Sequence, residues 1–427
     1  MNLSHTIAYI SRIVYPKNAA HAMQAIQMAA AFARVAGDAH MFVRDLVKPL
    51  DEIRRQYALG ESPLHLWSLH NRRLPGSVQG YYGHAAVFNS LVAGILAFHP
   101  VWRKTNDRRR VIFNRMRQET LYWGGMRPYL PWMRDWILVH EAHDVAGLDP
   151  QASLEENPFR LKTNSEGRNR QRLFKALLNY DLLLCVSQAL ADDLRLWSNG
   201  NLQPRVVRHA SSLPRLSHPP VLKPMGNRIE LGYMGTVDTY RGVDKLILAM
   251  RYLPPNYHLR IVGRVAGRSE DGRDSVWLTE LLNDPQIHSK VELIPPVPVQ
   301  QVAEEIDRCD ILIQPASNHI LTLRYASPLK SFDYMVRGKP IIATDVACHR
   351  ELLQDEVNSC LYRLDDVHHL ADRIQFLANQ PRLMETIACK AWEQSADYTY
   401  DARARRILEL VDEVWERRYA EEHRNAQ

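Results

Sequence analysis

The chain has 427 residues, 46% of them apolar and 24% charged; at roughly 100–200 residues per domain this predicts two or three globular domains. The composition argues against a largely disordered chain, a collagen and a coiled coil, and no run approaches the roughly 18 uninterrupted apolar residues of a membrane span. The net charge of +6 is unevenly held: residues 1–210 carry 27 Lys+Arg against 17 Asp+Glu, and residues 211–427 carry 27 against 31. The basic half suits an anionic partner, such as a membrane surface; the plainer reading is a solvated Arg-rich face.

In chain order, the opening run is broken by Arg12 and has no small-residue cleavage site, so it predicts a strand over 6–13 rather than a signal peptide. A helix follows over 20–35, then a short strand at 40–43. Helical spacing returns over 82–98. Strands are predicted at 110–113 and 136–140, and a helix over 170–179 runs into a strand at 182–186. Four prolines between 207 and 225 mark a linker. Beyond it the alternation is clean. Strands at 229–234, 258–263, 290–294, 310–314, 340–344 and 359–362 are separated by helices over 243–253, 275–282, 299–308 and 329–336. This is the grammar of an α/β protein with doubly wound, largely parallel sheets, one on each side of the linker. Ligands of such sheets bind beyond the carboxyl ends of the strands, and two such domains imply a cleft between them. The tail over 400–418 reads as a charged helix with one apolar stripe. The five cysteines are scattered and form no C-x-x-C pair, which fits a reducing cytosol and predicts neither a disulfide framework nor a zinc knuckle.

Three stretches carry chemistry. Ser327 and Pro328 stand where an N-cap and a first helical residue belong. The free N–H groups near Leu329 and Lys330 would then form an anion site. Asp333, one to two turns on, could accept hydrogen bonds from a diol such as a ribose. His140 and His143 close the strand at 136–140 with the spacing H-E-x-H, not the H-E-x-x-H of a metalloprotease, so no metal site is predicted. Either His could reach a ligand, and either could be a satisfied core residue. Trp123, Tyr129, Trp132 and Trp136 lie among arginines; interior packing is preferred over a membrane-resting surface.

The run from Ser327 to Asp345, S-P-L-K-S-F-D-Y-M-V-R-G-K-P-I-I-A-T-D, resembles the donor-site motif of the family 4 glycosyltransferases. These are retaining enzymes of the GT-B fold. Tyr233-Met-Gly235-Thr236 with Arg241-Gly242 resembles the family's first donor-domain strand and loop. Gly263-Arg264 resembles the end of the next strand, and Cys309-Asp310 through Pro315 a later one. Cys185 through Leu190 is similar to its V-S-x-x-L segment. There are departures. The family's Glu, seven residues, Glu becomes Tyr325 and Asp333, Thr236 replaces a frequent Arg, and Arg241 stands for a Lys.

The resemblance implies two Rossmann-like domains facing a cleft: residues 1–210 on the acceptor side, 211–395 binding the nucleotide-sugar, and a helix over 396–427 crossing back to the first. It implies a retaining, metal-independent transfer of a sugar from a nucleotide-diphosphate sugar, UDP- or GDP-linked, to the hydroxyl of a sugar, glycolipid or small-molecule acceptor. The setting would be polysaccharide or glycolipid assembly in the cytoplasm, at or near the inner membrane face, with no further cofactor and no nucleic acid. Arg241, Lys330, His140 and His143 would be catalytic. Gly235, Thr236, Gly263, Arg264, Tyr325, Ser327, Pro328, Leu329 and Asp333 would join Arg241 and Lys330 around the donor, and Lys17, His21 and Arg115 would face the acceptor. Tyr325 and Thr236 also keep open a non-catalytic nucleotide- or membrane-binding scaffold, and a sugar-nucleotide epimerase is the other alternative. Base, sugar, acceptor and linkage are not legible.

Overall fold

The computed structural model describes residues 4–17, 19–69, 81–103, 108–143, 165–266 and 276–425. Ser275, the first residue of the helix read over 275–282, lies outside the described residues.

The chain divides into two compact units. One holds residues up to Arg208 together with those from Tyr400 onward, and the other spans His209–Thr399. In the first unit the strands are β1 (His5–Tyr15), β2 (Ala39–Leu46), β3 (His65–Ser68), β4 (Arg109–Asn114), β5 (Trp136–Ala142), β6 (Leu182–Cys185) and β7 (Arg205–Val206). They lie in the order β3-β2-β1-β4-β5-β6-β7. The second unit holds β8 (Ile229–Met234), β9 (Tyr257–Val262), β10 (Val291–Ile294), β11 (Ile311–Gln314), β12 (Ile341–Thr344) and β13 (Cys360–Tyr362), in the order β10-β9-β8-β11-β12-β13. The ladders of both sheets are parallel. Each unit is therefore a Rossmann-like sheet whose strand order reverses between its first and fourth strands, β1/β4 and β8/β11. That reversal is where such sheets take ligands.

Strands covered on both faces read as unbroken apolar runs. Every residue of β5, β11 and β12 is buried. The edge strands β3 and β7 escape such a reading, because they are short, half exposed and hold only four and two residues. In the second unit, one core layer packs Leu246, Ile247 and Ile374 against the inner residues of β8, β9 and β11. On the opposite face, Phe332, Met335 and Val336 of the helix Leu329–Val336 pack with Leu312 and Ile341. In the first unit, Trp123 and Trp136 are fully buried among Phe88, Trp102 and Leu138, and Trp123 Nε1 donates to Asn89 Oδ1 at 2.8 Å. These aromatics are core residues; only Tyr129 of the group is exposed. No helix among the described residues is long and apolar enough to cross a membrane.

The segment over 207–225 is not a free linker. From His209 on it is strapped to the second unit. Leu213 enters the core beside Phe332. The Arg215 guanidinium lies 3.9 Å from the centroid of the Trp392 ring and donates to Ser395 Oγ and the Trp392 carbonyl, both at 2.9 Å. Trp392 Nε1 donates to the Leu216 carbonyl at 2.9 Å. Prolines break regular structure without forbidding packing, and the apolar and cationic residues between them supply the contacts.

Candidate functional site

The carboxyl ends of β8 and β9 meet at two glycines. A Cβ on Gly263 would fall inside the Gly235 carbonyl, and one on Gly235 (φ +149°) would lie 2.5 Å from Lys330 Cε. Only glycine lets these strand ends and the lysine approach so closely. Gly263→Ala is expected to destabilise the second unit by about 2–4 kcal/mol, because the atom blocking the new methyl belongs to the backbone. Denaturant midpoints of the variant and of Gly226→Ala, where the nearest atom is 3.7 Å away, check this; equal midpoints would refute it.

Over this turn stands Lys330, in the first turn of the helix Leu329–Val336. Its Nζ is 5.0 Å from the centroid of the Tyr233 ring, a cation–π platform, and Tyr233 Oη donates to the Thr236 carbonyl at 2.8 Å. The Met234 N–H donates to Tyr334 Oη at 3.1 Å, tying the same helix to the end of β8. Burial, and after it the like charge of Arg241, lowers the Lys330 ammonium to about 8. Arg241 ends a short helical turn, Thr239–Arg241, capped by Asp238, which accepts its backbone N–H at 2.9 Å and pairs with its guanidinium. Gly242 follows at φ +73°, where a Cβ would lie 2.5 Å from the Ala316 carbonyl just beyond β11. So the cations Lys330 and Arg241 and a helix N-terminus gather at the strand-order reversal of this sheet.

Asp333 lies on the same helix, half-buried. It accepts a hydrogen bond from Ser211 Oγ at 2.5 Å. Burial raises its carboxyl to about 6, against the lowering effects of Ser211 and Lys330. Ser211 escaped sequence reading because it lies 122 residues away in the stretch read as a linker; no local signal pointed to it.

One donor-side expectation changes, and two further residues take the following places. Ser327 is not the N-cap: Pro328 holds that position, the helix begins at Leu329, and Ser327 Oγ is buried without a partner. Tyr325 is 1% exposed, its ring packed with the Arg324 guanidinium at 5.8 Å, so it sits in the core and not on an open surface. Arg264 is exposed and contributes its carbonyl, which accepts from the Val237 N–H at 2.9 Å.

In the first unit, the carboxyl ends of β4 and β5 hold a buried polar cluster. His140 Nδ1 lies 2.9 Å from Thr120 Oγ1 and 3.1 Å from Asn114 Oδ1, and burial lowers the imidazole to about 3. His143, just past β5 and less buried, places Nε2 2.5 Å from Glu141 Oε1; burial and then Arg115 lower it to about 4. Arg115 was expected to face an acceptor. It is 9% exposed and turned inward, donating to Gln24 Oε1 at 2.6 Å and approaching His143 Nδ1 at 3.2 Å and Glu141 at 3.9 Å. Arg403, from the helix Tyr400–Asn425, completes the cluster with a 2.8 Å contact to Glu141 Oε2. Glu119 was also missed. It is fully buried, 3.5 Å from Arg12 Nε, and burial raises it to about 7. Lys17 is exposed, with its backbone held by Tyr57 Oη at 2.6 Å; His21 is half-buried and lowered by burial, Lys17 and Arg115.

Residues 217–396 match the family model of glycosyl transferases group 1. Over 188 residues the chain is 25% identical to a D-inositol 3-phosphate glycosyltransferase of Xylanimonas cellulosilytica, a match covering 44% of this chain and 43% of that one. The chain spans less than half the length of the curated relatives it matches. Among solved structures it is similar to Anabaena Alr3699/HepE in complex with UDP and glucose (TM-score 0.63, 15% identity, 96% of this chain and 99% of that one). It is also similar to sucrose-phosphate synthase from Thermosynechococcus elongatus (TM-score 0.65, 16% identity, 96% and 99%). Residues 217–396 thus carry the glycosyl transferases group 1 pattern, on a chain whose two Rossmann-like units have the GT-B fold.

Proposed function

We propose that the chain is a retaining glycosyltransferase that moves a sugar from a nucleotide-diphosphate sugar, UDP- or GDP-linked, to an acceptor hydroxyl in polysaccharide or glycolipid assembly. The observation that carries this reading is the gathering of Lys330, Arg241 and a helix N-terminus over the Gly235–Thr236 turn. A diphosphate leaving group gains charge as its bond to the sugar breaks, and fixed cations and N–H dipoles stabilise that charge most where water is thin. Thr236 removes one cation that relatives of this pattern often carry, and Lys330, packed on the neighbouring glycine, lies where it can replace it. Asp333 accepts hydrogen bonds from the ribose.

In the transfer, the acceptor oxygen bonds to the anomeric carbon while the bond from that carbon to the β-phosphate oxygen breaks. The acceptor proton passes to the leaving phosphate on the same face, so configuration is retained and no carboxylate nucleophile is needed. The charge can be met by Lys330, Arg241 and the helix N-terminus, which supports a metal-independent reaction.

The test is a thermal-shift screen of UDP, GDP, ADP, CMP and dTDP in the presence of EDTA. A ligand that binds only the folded state stabilises it by about 2.7 kcal/mol at a hundredfold excess over Kd. One diphosphate should raise the melting temperature, and its sugar conjugate should be consumed with retention at the anomeric carbon. No shift with any of the five would favour the non-catalytic scaffold instead.

A further inference from the structure

Ser211 stands three residues past the point where the chain passes into the second unit, and it pairs there with the segment by which the chain leaves. Its N–H donates to the Tyr398 carbonyl at 2.8 Å, and it forms a parallel bridge with Thr399. Its hydroxyl donates to Asp333 Oδ1 at 2.5 Å and accepts the Leu213 N–H at 3.0 Å. The residue is 5% exposed. The Phe332 ring packs on Tyr398 at 5.0 Å, so the same crossing segments also hold the helix that carries Asp333. The residue is therefore held by its backbone to Tyr398, and its hydroxyl, held by the Leu213 N–H, is aimed at one carboxylate oxygen.

We infer that Ser211 is a positioning residue for Asp333: by donating to Oδ1 it orients the carboxylate and keeps it ionised, ready to accept the two hydroxyls of a nucleotide ribose. The inference rests on the ribose role proposed above for Asp333. A half-buried carboxylate tends to take up a proton, and a protonated acid accepts a diol poorly. Among the described residues, the charged and polar groups near Asp333 are these. Ser211 and Lys330 oppose protonation. Arg241 and Asp238 act on Lys330 from the turn after β8, and His349 faces it from beyond β12, lowered by burial to about 4 and so neutral above pH 5. Tyr334 adjoins Asp333 and stays neutral, and Arg337, one turn further, is turned to Asp307. Among these, Ser211 is the hydrogen-bond donor to the carboxylate, and losing it moves the carboxyl pKa upward.

The experiment is titration of UDP and GDP, each from pH 5 to 8, into the full chain and into Ser211→Ala, Ser211→Thr, Ser211→Cys and Asp333→Asn. In the unaltered chain the affinity for the nucleotide that binds should climb as pH rises through about 6. Ser211→Ala should shift that climb upward by about one pH unit, a loss near fivefold at pH 6 that approaches tenfold at pH 5 and all but vanishes by pH 8. Ser211→Thr should restore the profile, and Ser211→Cys, a weaker donor and still a small side chain, should fall between. A Ser211→Ala profile that overlays the unaltered one, or lies below it by one factor at every pH, overturns the inference while a weakened Asp333→Asn leaves the ribose reading standing. Asp333→Asn binding as tightly as the unaltered chain at pH 8, or neither nucleotide binding at all, overturns the ribose reading and this inference with it.

Discussion

Lys330→Met is expected to lower kcat by about 10²–10³, the usual cost of removing one preorganised group that meets charge developing in the transition state. KM should change far less, because the charge on the leaving diphosphate grows only as the bond breaks. The lysine's own titration gives a second signature. Its ammonium is lowered to about 8 by burial and by Arg241, so kcat/KM should fall as pH rises through about 8, and this limb should vanish in the variant. The sign for stability is opposite. A lysine whose folded pKa lies below its unfolded one disfavours the folded state, fully below about pH 8 and progressively less towards the ordinary lysine range. Lys330→Met should therefore melt higher than the unaltered chain at pH 7 while being the poorer catalyst. Loss of activity with a lower melting temperature would point to misfolding, and unchanged kcat would remove Lys330 from the mechanism.

Arg403→Met should cost about 3–5 kcal/mol, because it leaves Glu141 ionised, buried and without its 2.8 Å partner. The two side chains are 3% and 2% exposed. Burial pushes the Glu141 carboxyl up, but Arg403, His143 and Arg115 together hold it well below the usual range. A depressed carboxylate contributes stability above its unfolded pKa and loses it as pH falls, so the gap between the two chains should narrow in acid. The contrast is Asp401→Ala. Asp401 pairs with Arg34 at 2.6 Å from the same helix, but those side chains are 39% and 33% exposed, and such a pair contributes about 0–1 kcal/mol. Urea midpoints of the two variants decide the matter; a similar small loss in both would show that the Glu141 cluster is hydrated. Because Glu141 holds His143 and Arg115 at the carboxyl ends of β5 and β4, the same change should disturb whatever these residues contact.

The strands of the second unit were legible because parallel strands in a covered sheet are written as short apolar runs, and the helices between them followed; the helices Val367–Ala378 and Pro381–Gln394, beyond the last strand, were not read. The helix Leu329–Val336 was read to the residue, although its cap was not. Ser327-Pro328 has the composition of a cap and first turn, but the backbone enters the helix one residue later, leaving Ser327 Oγ buried without a partner. The short edge strands β3 and β7 were missed because two to four half-exposed residues carry no period. The proline-rich stretch does hold the passage from one unit to the other, but proline counts report backbone breaks and are blind to Leu213 and Arg215, whose packing joins that stretch to the second unit.

The sequence by itself determined the α/β class, the order of the longer strands, and a donor-type motif from Ser327 to Asp345, since each depends on local period or on residues close along the chain. Tertiary structure alone decided which charges are opposed and which are left to meet a ligand. Lys330 is poised because Gly235, in the turn just past β8, leaves room for it. Asp333 is oriented by a serine 122 residues away. Glu141 is held inside between Arg115 and Arg403, the latter reaching it from the far end of the chain. Burial and distance set these charge states, and both arise from contacts between residues that are remote in sequence.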